Sequence, residues 1–350
     1  FVAEDDLWSI NIDNLKAYRL TTNISEVSSP LISPDGKLIA FIGTEDGNNE
    51  VYVMPSNGGA ATRLTYDGAF VKGICAWKNN DIIFSTDLQQ PFGRVSGLAK
   101  INKKGGQTHL LNYGIASNIA FGGSGIVLGR NTADPARWKR YKGGTAGELW
   151  ISKDKNSKFK KLINLNGNMA CPMWINNRIY FISDHDGISN IYSCLASGRS
   201  LKQHTNHKEY YARNATTDGH KIIYHSGADI YTFDVKNDAY EKLEIDYKSS
   251  FVNRNRKFVS PLNYLEDISI NKDGSMVSYV SRGKSLCMGT WNGPIYQQGK
   301  KNGVRYQKTR FLNDNKKVVL VSDETGEEKL EIQFIKGNKK AKSFDLNIGR

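Results

Sequence analysis

SPDGKLIAFIGTEDGNNEVYVMPSNGGAATRLT (residues 33–65) is a chain of short apolar runs cut by turn chemistry. LIAFIG and VYVM flank the hexamer EDGNNE (45–50), whose acidic and amide side chains crowd around a glycine as they would in a calcium loop. Asp and Asn accept the left-handed and side-chain-bonded conformations of a tight turn, and glycine supplies positive φ. Calcium takes roughly six to eight oxygens at fixed spacing, and the hexamer alone offers too few. The corner is therefore read as a reversal between two antiparallel strands, and no metal site is assigned.

The same unit recurs with a period of about 40 residues. Its first strand returns as DGKLIAF (35–41), NNDIIFS (79–85), GSGIVLG (123–129), NNRIYFIS (176–183), DGHKIIYHS (218–226), DGSMVSYVS (273–281) and DNKKVVLVS (314–322). A second strand returns as DDLWSI, NEVYVM, GLAKI, GELWIS, SNIYSC, ADIYTF, SLCMGT and EKLEIQF, and a third as AYRLT, ATRLT, QTHLLN, FKKLIN, LKQHTN and YEKLEI. Apolar alternation bounded by Asp-Gly, Asn-Gly or Asn-Asn is hairpin chemistry, and helical periodicity is nearly absent. One small sheet cannot cover its own two faces, but radial stacking of several covers both and leaves only short edges. The expected fold class is all-β: a β-propeller of four-stranded antiparallel blades.

Composition permits this. The 350 residues are 39% hydrophobic and 24% charged, which suits one or two sizeable cores and excludes global disorder. No apolar run approaches the roughly 20 residues of a membrane-spanning helix, no leader is read, and Phe1 opens what looks like a strand pair inside a domain. No membrane partner is expected. Lys+Arg 48 against Asp+Glu 35 gives +13, yet the lysines are scattered over turns (Lys103-Lys104, Lys160-Lys161, Lys300-Lys301, Lys316-Lys317, Lys339-Lys340), with no nucleic-acid motif beside them. Cys75, Cys171, Cys194 and Cys287 lie far apart in or beside strands, without zinc or disulfide spacing, which fits a reducing compartment.

Residues 33–65 resemble the WD40-like repeat of TolB-type propellers, a likeness that speaks to fold and hardly to activity. DIIFSTDLQQPFGRVSGLAKI (81–101), LGRNTADPARWKRYKGGTAGELWIS (128–152), NRIYFISDHDGISNIYS (177–193) and HTNHKEYYARNATTDGHKIIY (204–224) together resemble the amino-terminal six-bladed propeller of the tricorn protease family of serine peptidases. FVSPLNYLEDISINKDGSMVSYVSRG (258–283) is similar to the start of that family's second, seven-bladed propeller. The resemblance implies a six-bladed propeller over 1–257, its first blade lacking part of its opening strands, and two blades of a second, truncated propeller over 258–350. It also implies cytoplasmic oligopeptide degradation, a homo-hexamer, and a parent chain that continues through a second propeller, a PDZ-like domain and catalytic domains. The nucleophilic serine and catalytic histidine belong to those later parts, so no catalytic residue, cofactor or metal is assigned here.

Side chains with chemical potential are few. His204 and His207 could share a metal on a helix, but the repeat places them at a strand end and turn, where surface histidines are expected. Gly122-Gly123-Ser124-Gly125 leads a strand and is no nucleophile elbow, and Gly143 to Gly147 lacks the Lys-Ser/Thr of a phosphate loop. The insertion Arg137-Trp138-Lys139-Arg140-Tyr141-Lys142 stands apart. Its alternating cations and aromatics fit peptide carboxylates along a channel or a subunit contact; stacking on single-stranded nucleic acid is weaker, and a loop with packed aromatics and solvated cations is the plain alternative. In the family resembled, a basic pair on a propeller loop anchors the substrate's C-terminal carboxylate. The corresponding connection here, 66–73, is shorter and carries Lys72 alone, a point charge without arginine's fork. The expected function is a propeller region that gates or conducts oligopeptides and supports assembly. A non-enzymatic TolB-like scaffold for protein partners is the alternative.

Overall fold

The computed structural model describes residues 1–22, 25–123, 125–153, 158–251, 258–337, 339, 342–344 and 346. The chain forms two compact units, Phe1–Asn253 and Arg254–Arg350. The domain boundary expected at 257/258 and Ser124 of the glycine-rich turn lie outside the described residues.

The first unit holds six antiparallel sheets in chain order, here blades 1 to 6. Blade 1 has three strands, Val2–Ala3, Asp6–Ile10 and Ala17–Arg19, and so lacks one strand of the unit repeat. Blades 2 to 6 each have four, joined as up-and-down meanders. In blade 2 these are Val27–Ile32, Leu38–Gly43, Glu50–Pro55 and Thr62–Arg63. EDGNNE is the corner between its second and third strands: Gly47, at φ +101°, donates its N–H to the Thr44 carbonyl at 3.0 Å. Two of its three acids serve one arginine, Asp46 at 3.1 Å and Glu50 at 2.8 Å from the Arg63 guanidinium.

Strand alternation sends successive side chains to opposite neighbours. Phe41 packs toward Leu7 of blade 1, while Ala40 and Ile42 pack toward Val71, Ile82 and Phe84 of blade 3. In blade 5, Ile179 and Phe181 meet blade 4, and Tyr180 and Ile182 meet blade 6. Both faces of the blades are dry, which is why these strands read as nearly continuous apolar runs. First strands touch first strands from blade 2 through blade 6, so they form the innermost layer. The ring closes on blade 1 through a parallel bridge between Lys16 and Asp246, through Tyr247, which packs 4.6 Å from Trp8, and through Ser249 bonded to Glu4.

The recurrent closing threonine, of Arg-Leu-Thr in blades 1 and 2 and of Gln-His-Thr in blade 5, is structural. Thr21, Thr65 and Thr205 each accept the N–H of the neighbouring strand's Leu7, Val51 or Ile191 at 2.9 Å, and donate to Asp6, Glu50 or Asn190. The second unit holds two further four-stranded sheets, beginning at Leu265–Ile270 and Tyr306–Phe311.

Candidate functional site

Within each blade the connection between second and third strands lies on the rim where the next blade begins. Backbone bonds show this at four joints: Val71 N–H to Asn49, Ala116 to Ser96, Met169 to Gly147 and Ala212 to Ser189. Two of these connections are long, 87–96 in blade 3, between Asp81–Thr86 and Gly97–Asn102, and 131–147 in blade 4, between Ile126–Arg130 and Glu148–Ser152. Lys72 and the run from Arg137 to Lys142 stand on or beside these two.

Lys72 is not in a free connection. It is the second residue of the inner strand Val71–Lys78, and its ammonium donates to the Val95 carbonyl and the Ser96 hydroxyl, both at 2.9 Å. Burial holds its pKa below the usual lysine range, against the opposing charge of Asp87. Lys72 thus ties down the 87–96 connection, whose Phe92 and Arg94 are exposed.

The 131–147 connection is fastened at two places. Asp134 accepts Ala136 N–H at 3.0 Å and takes both Nε, at 2.6 Å, and Nη2 of Arg213. Arg213 lies in Ala212–Thr217, the inner strand of blade 6. The connection therefore leaves blade 4, passes the inner end of blade 5 and is held by blade 6. The second fastening is Asp184 of blade 5, only 1% exposed. It accepts Arg140 N–H and Asn168 N–H, each at 2.7 Å, while Asn168 Nδ2 bonds both Asp184 and the Trp138 carbonyl. Arg140 sits at φ +55°, a conformation this clamp must hold against its side chain.

Along this fastened stretch the Arg137, Lys139, Arg140 and Lys142 side chains are exposed, and no carboxylate pairs with them among the described residues. Trp138 is 58% exposed, with its ring 5.1 Å from Tyr141, and Lys139 Nζ lies over the Tyr211 ring. The plain reading of packed aromatics holds for half-buried Tyr141 and fails for Trp138. Asp134, Asp184, Asn168 and Arg213 were not singled out from sequence; the length of the connection was their one signal.

The histidines differ from expectation. His204 and His207 end an outer strand as the repeat requires, but they are packed, not surface residues: His204 lies against Tyr180 and Phe233, and His207 against Tyr224, Tyr231 and Tyr240. Their nitrogens point to separate partners, His207 Nε2 to the Tyr224 hydroxyl and His204 to Ser193 and Asp238. Ser193, His204 and Asp238 stand in the order of a catalytic triad, at 2.7 and 2.5 Å. Ser193 is fully buried and its oxygen also accepts Arg178 Nε at 2.7 Å, so a substrate carbonyl has no approach to it. This chain of bonds fixes an outer blade edge.

Burial lowers the pKa of His185, His204, His207 and His225 below the usual imidazole value, with Asp238 opposing the shift at His204 and Arg213 adding to it at His225. The unfolded chain therefore binds these protons first, and their contribution to stability is whole above about pH 6.5 and lost as pH falls through the lowered folded values. The urea midpoint is expected to drop between pH 7.5 and 5. His204→Gln together with His207→Gln should flatten that slope.

The profile described as the tricorn protease N-terminal beta propeller domain matches residues 1–239. A tricorn protease homolog of Saccharolobus solfataricus is 37% identical over 347 residues, covering 95% of this chain and 32% of the relative. A putative tricorn-like protease N-terminal subunit of Sulfurisphaera tokodaii is 36% identical over 160 residues, covering 45% of this chain and 82% of that one. The crystal structure of the tricorn protease superposes with a TM-score of 0.72 at 29% identity, over 99% of this chain and 34% of that one. The chain spans about a third of the length of the first of these relatives and of the solved structure. With its repeat, its ring of blades and this match over most of its length, the chain belongs to the tricorn protease family, as its N-terminal β-propeller region.

Proposed function

We propose that this chain is the propeller region of a cytoplasmic serine peptidase that degrades oligopeptides, conducting or gating peptides and supporting assembly while later domains of the parent carry the chemistry. The observation that carries this reading is the blade 4 insertion, four exposed cations without an ion-pair partner among the described residues, on a connection bonded to blades 5 and 6. A cationic rim at an axial opening raises the local concentration of peptide carboxylates.

The second unit supports a partnership with the rest of the parent chain. In its first sheet, Met276–Ser281 pairs with Leu265–Ile270 on one side and Lys284–Gly289 on the other, so Ile268, Ile270, Val277, Tyr279, Leu286 and Met288 share one face. Ile268 is 57% and Ile270 61% exposed, whereas Val280 and Cys287 on the opposite face are buried. A further blade of the parent packs on that open apolar face, and a homo-oligomer, a hexamer in this reading, completes the assembly.

The engagement of Lys72 by Val95 and Ser96 favours the second reading, a scaffold for protein partners, since a tied lysine cannot clamp a terminal carboxylate. Turnover of unstructured oligopeptides by the purified complete parent separates the two. The peptidase reading predicts turnover abolished by a serine-directed inhibitor; a complete, folded parent without turnover makes the scaffold the correct account.

A further inference from the structure

We infer that the 131–147 connection is a preformed strap that recognises acidic side chains of oligopeptides, so that the peptides this rim handles best are those rich in Asp and Glu. The inference rests on the peptide-handling reading above and adds a substrate class to it.

Charge on the strap is one-sided by construction. Its one carboxylate, Asp134, is paired with Arg213, and the oxygens of Asp184 beneath it are taken up by three neutral N–H groups. Neither forms an ion pair with Arg137, Lys139, Arg140 or Lys142 among the described residues. Some cations elsewhere on the first unit do have such partners, Arg63 with Asp46 and Glu50, Lys100 with Asp81, Lys161 with Glu148 and Lys202 with Asp238, whereas the strap gathers four exposed cations without an ion-pair partner among the described residues on a single connection. The strap is also held before any ligand arrives, through Asp134, the Arg140 N–H and the Trp138 carbonyl, which lowers the ordering entropy that binding would otherwise lose.

Trp138, its ring tilted 52° against Tyr141, adds an exposed apolar surface between the cations, able to lie along the aliphatic part of a peptide while guanidinium and ammonium groups meet its carboxylates. A peptide is favoured over single-stranded nucleic acid. Continuous nucleic-acid binding needs a cationic groove that tracks successive phosphates with a series of stacking rings, and here one exposed ring serves a single connection.

The test uses the complete parent protein and a fluorescein-labelled all-D octapeptide of alternating Glu and Ala, amidated at its C-terminus, compared with peptides carrying the same label and amide so that only the side chains differ and no peptide bond is cut. Fluorescence anisotropy should show it binding about tenfold or more tighter than the matching Lys-Ala and Ser-Ala peptides, with affinity falling as salt rises. Arg137→Gln, Lys139→Gln, Arg140→Gln and Lys142→Gln together should erase the preference while the unfolding midpoint stays put. Equal binding of the three peptides, an acidic preference that survives the fourfold variant, or tighter binding of an oligothymidylate would each overturn the inference. Because binding is read without cleavage, its failure leaves the peptidase reading standing, and absence of turnover leaves this result standing.

Discussion

Glu50→Ala lowers the unfolding free energy by about 3–5 kcal/mol, the usual consequence of removing one partner from a buried ion pair. Glu50 is 1% exposed. Its two oxygens accept the Arg63 guanidinium and the Thr65 hydroxyl, and Thr65 in turn accepts the Val51 N–H. Truncation takes from the guanidinium its buried partner and leaves it the exposed Asp46 alone, leaves the threonine without its acceptor, and loosens the bond that pins the outer strand to its blade. Glu50→Gln keeps the shape and one acceptor, so it costs less. Thr65→Val, which removes the hydroxyl at equal volume, falls between. Urea unfolding of the three variants gives the order, and an alanine variant as stable as the original would remove the Arg-Leu-Thr ending from the list of elements that hold the blade.

Asp184→Ala destabilises by about 2–4 kcal/mol, because two backbone N–H groups and an amide lose a buried acceptor at once and each orphaned donor costs about 1–3 kcal/mol before relaxation. Its effect on the strap is as large. Arg140 keeps its positive φ through the bond to Asp184, and Asn168 holds the Trp138 carbonyl only while Asp184 orients its amide. Released, residues 137–142 become the preferred site for trypsin, with cleavage there at least about tenfold faster than in the unaltered protein. Asp184→Asn retains one acceptor and turns a donor toward the Arg140 N–H, so it gives an intermediate rate. Proteolysis spread evenly along the chain would show that the strap is not specifically held by this carboxylate.

How far these features could be read beforehand follows from their range along the chain. The blade repeat rests on local signals, such as Asp35-Gly36 or Asp218-Gly219 before a strand and a threonine at its close, and all of these appear where the repeat puts them. The strap's cations were visible as a composition anomaly. Its fastenings were not: Asp134 meets Arg213 across 79 positions, and Asp184 meets Arg140 across 44, pairings that exist only once the ring brings blades 4, 5 and 6 side by side. Lys72 was misplaced for the same reason, since the turn residues before it look like a loop and its partners, Val95 and Ser96, come from the far side of a hairpin. The histidines were placed at the right strand ends, but their burial depends on rings from the neighbouring blade, Phe233 against His204 and Tyr224 against His207.

The most direct test of the account is to measure kcat and KM of the complete parent for an acidic and a neutral L-octapeptide of equal length, with and without the four strap cations. The account predicts that neutralising Arg137, Lys139, Arg140 and Lys142 raises KM for the acidic peptide about tenfold, leaves its kcat unchanged and scarcely alters the neutral one. Unchanged KM for both peptides in a fully assembled, active variant would contradict it.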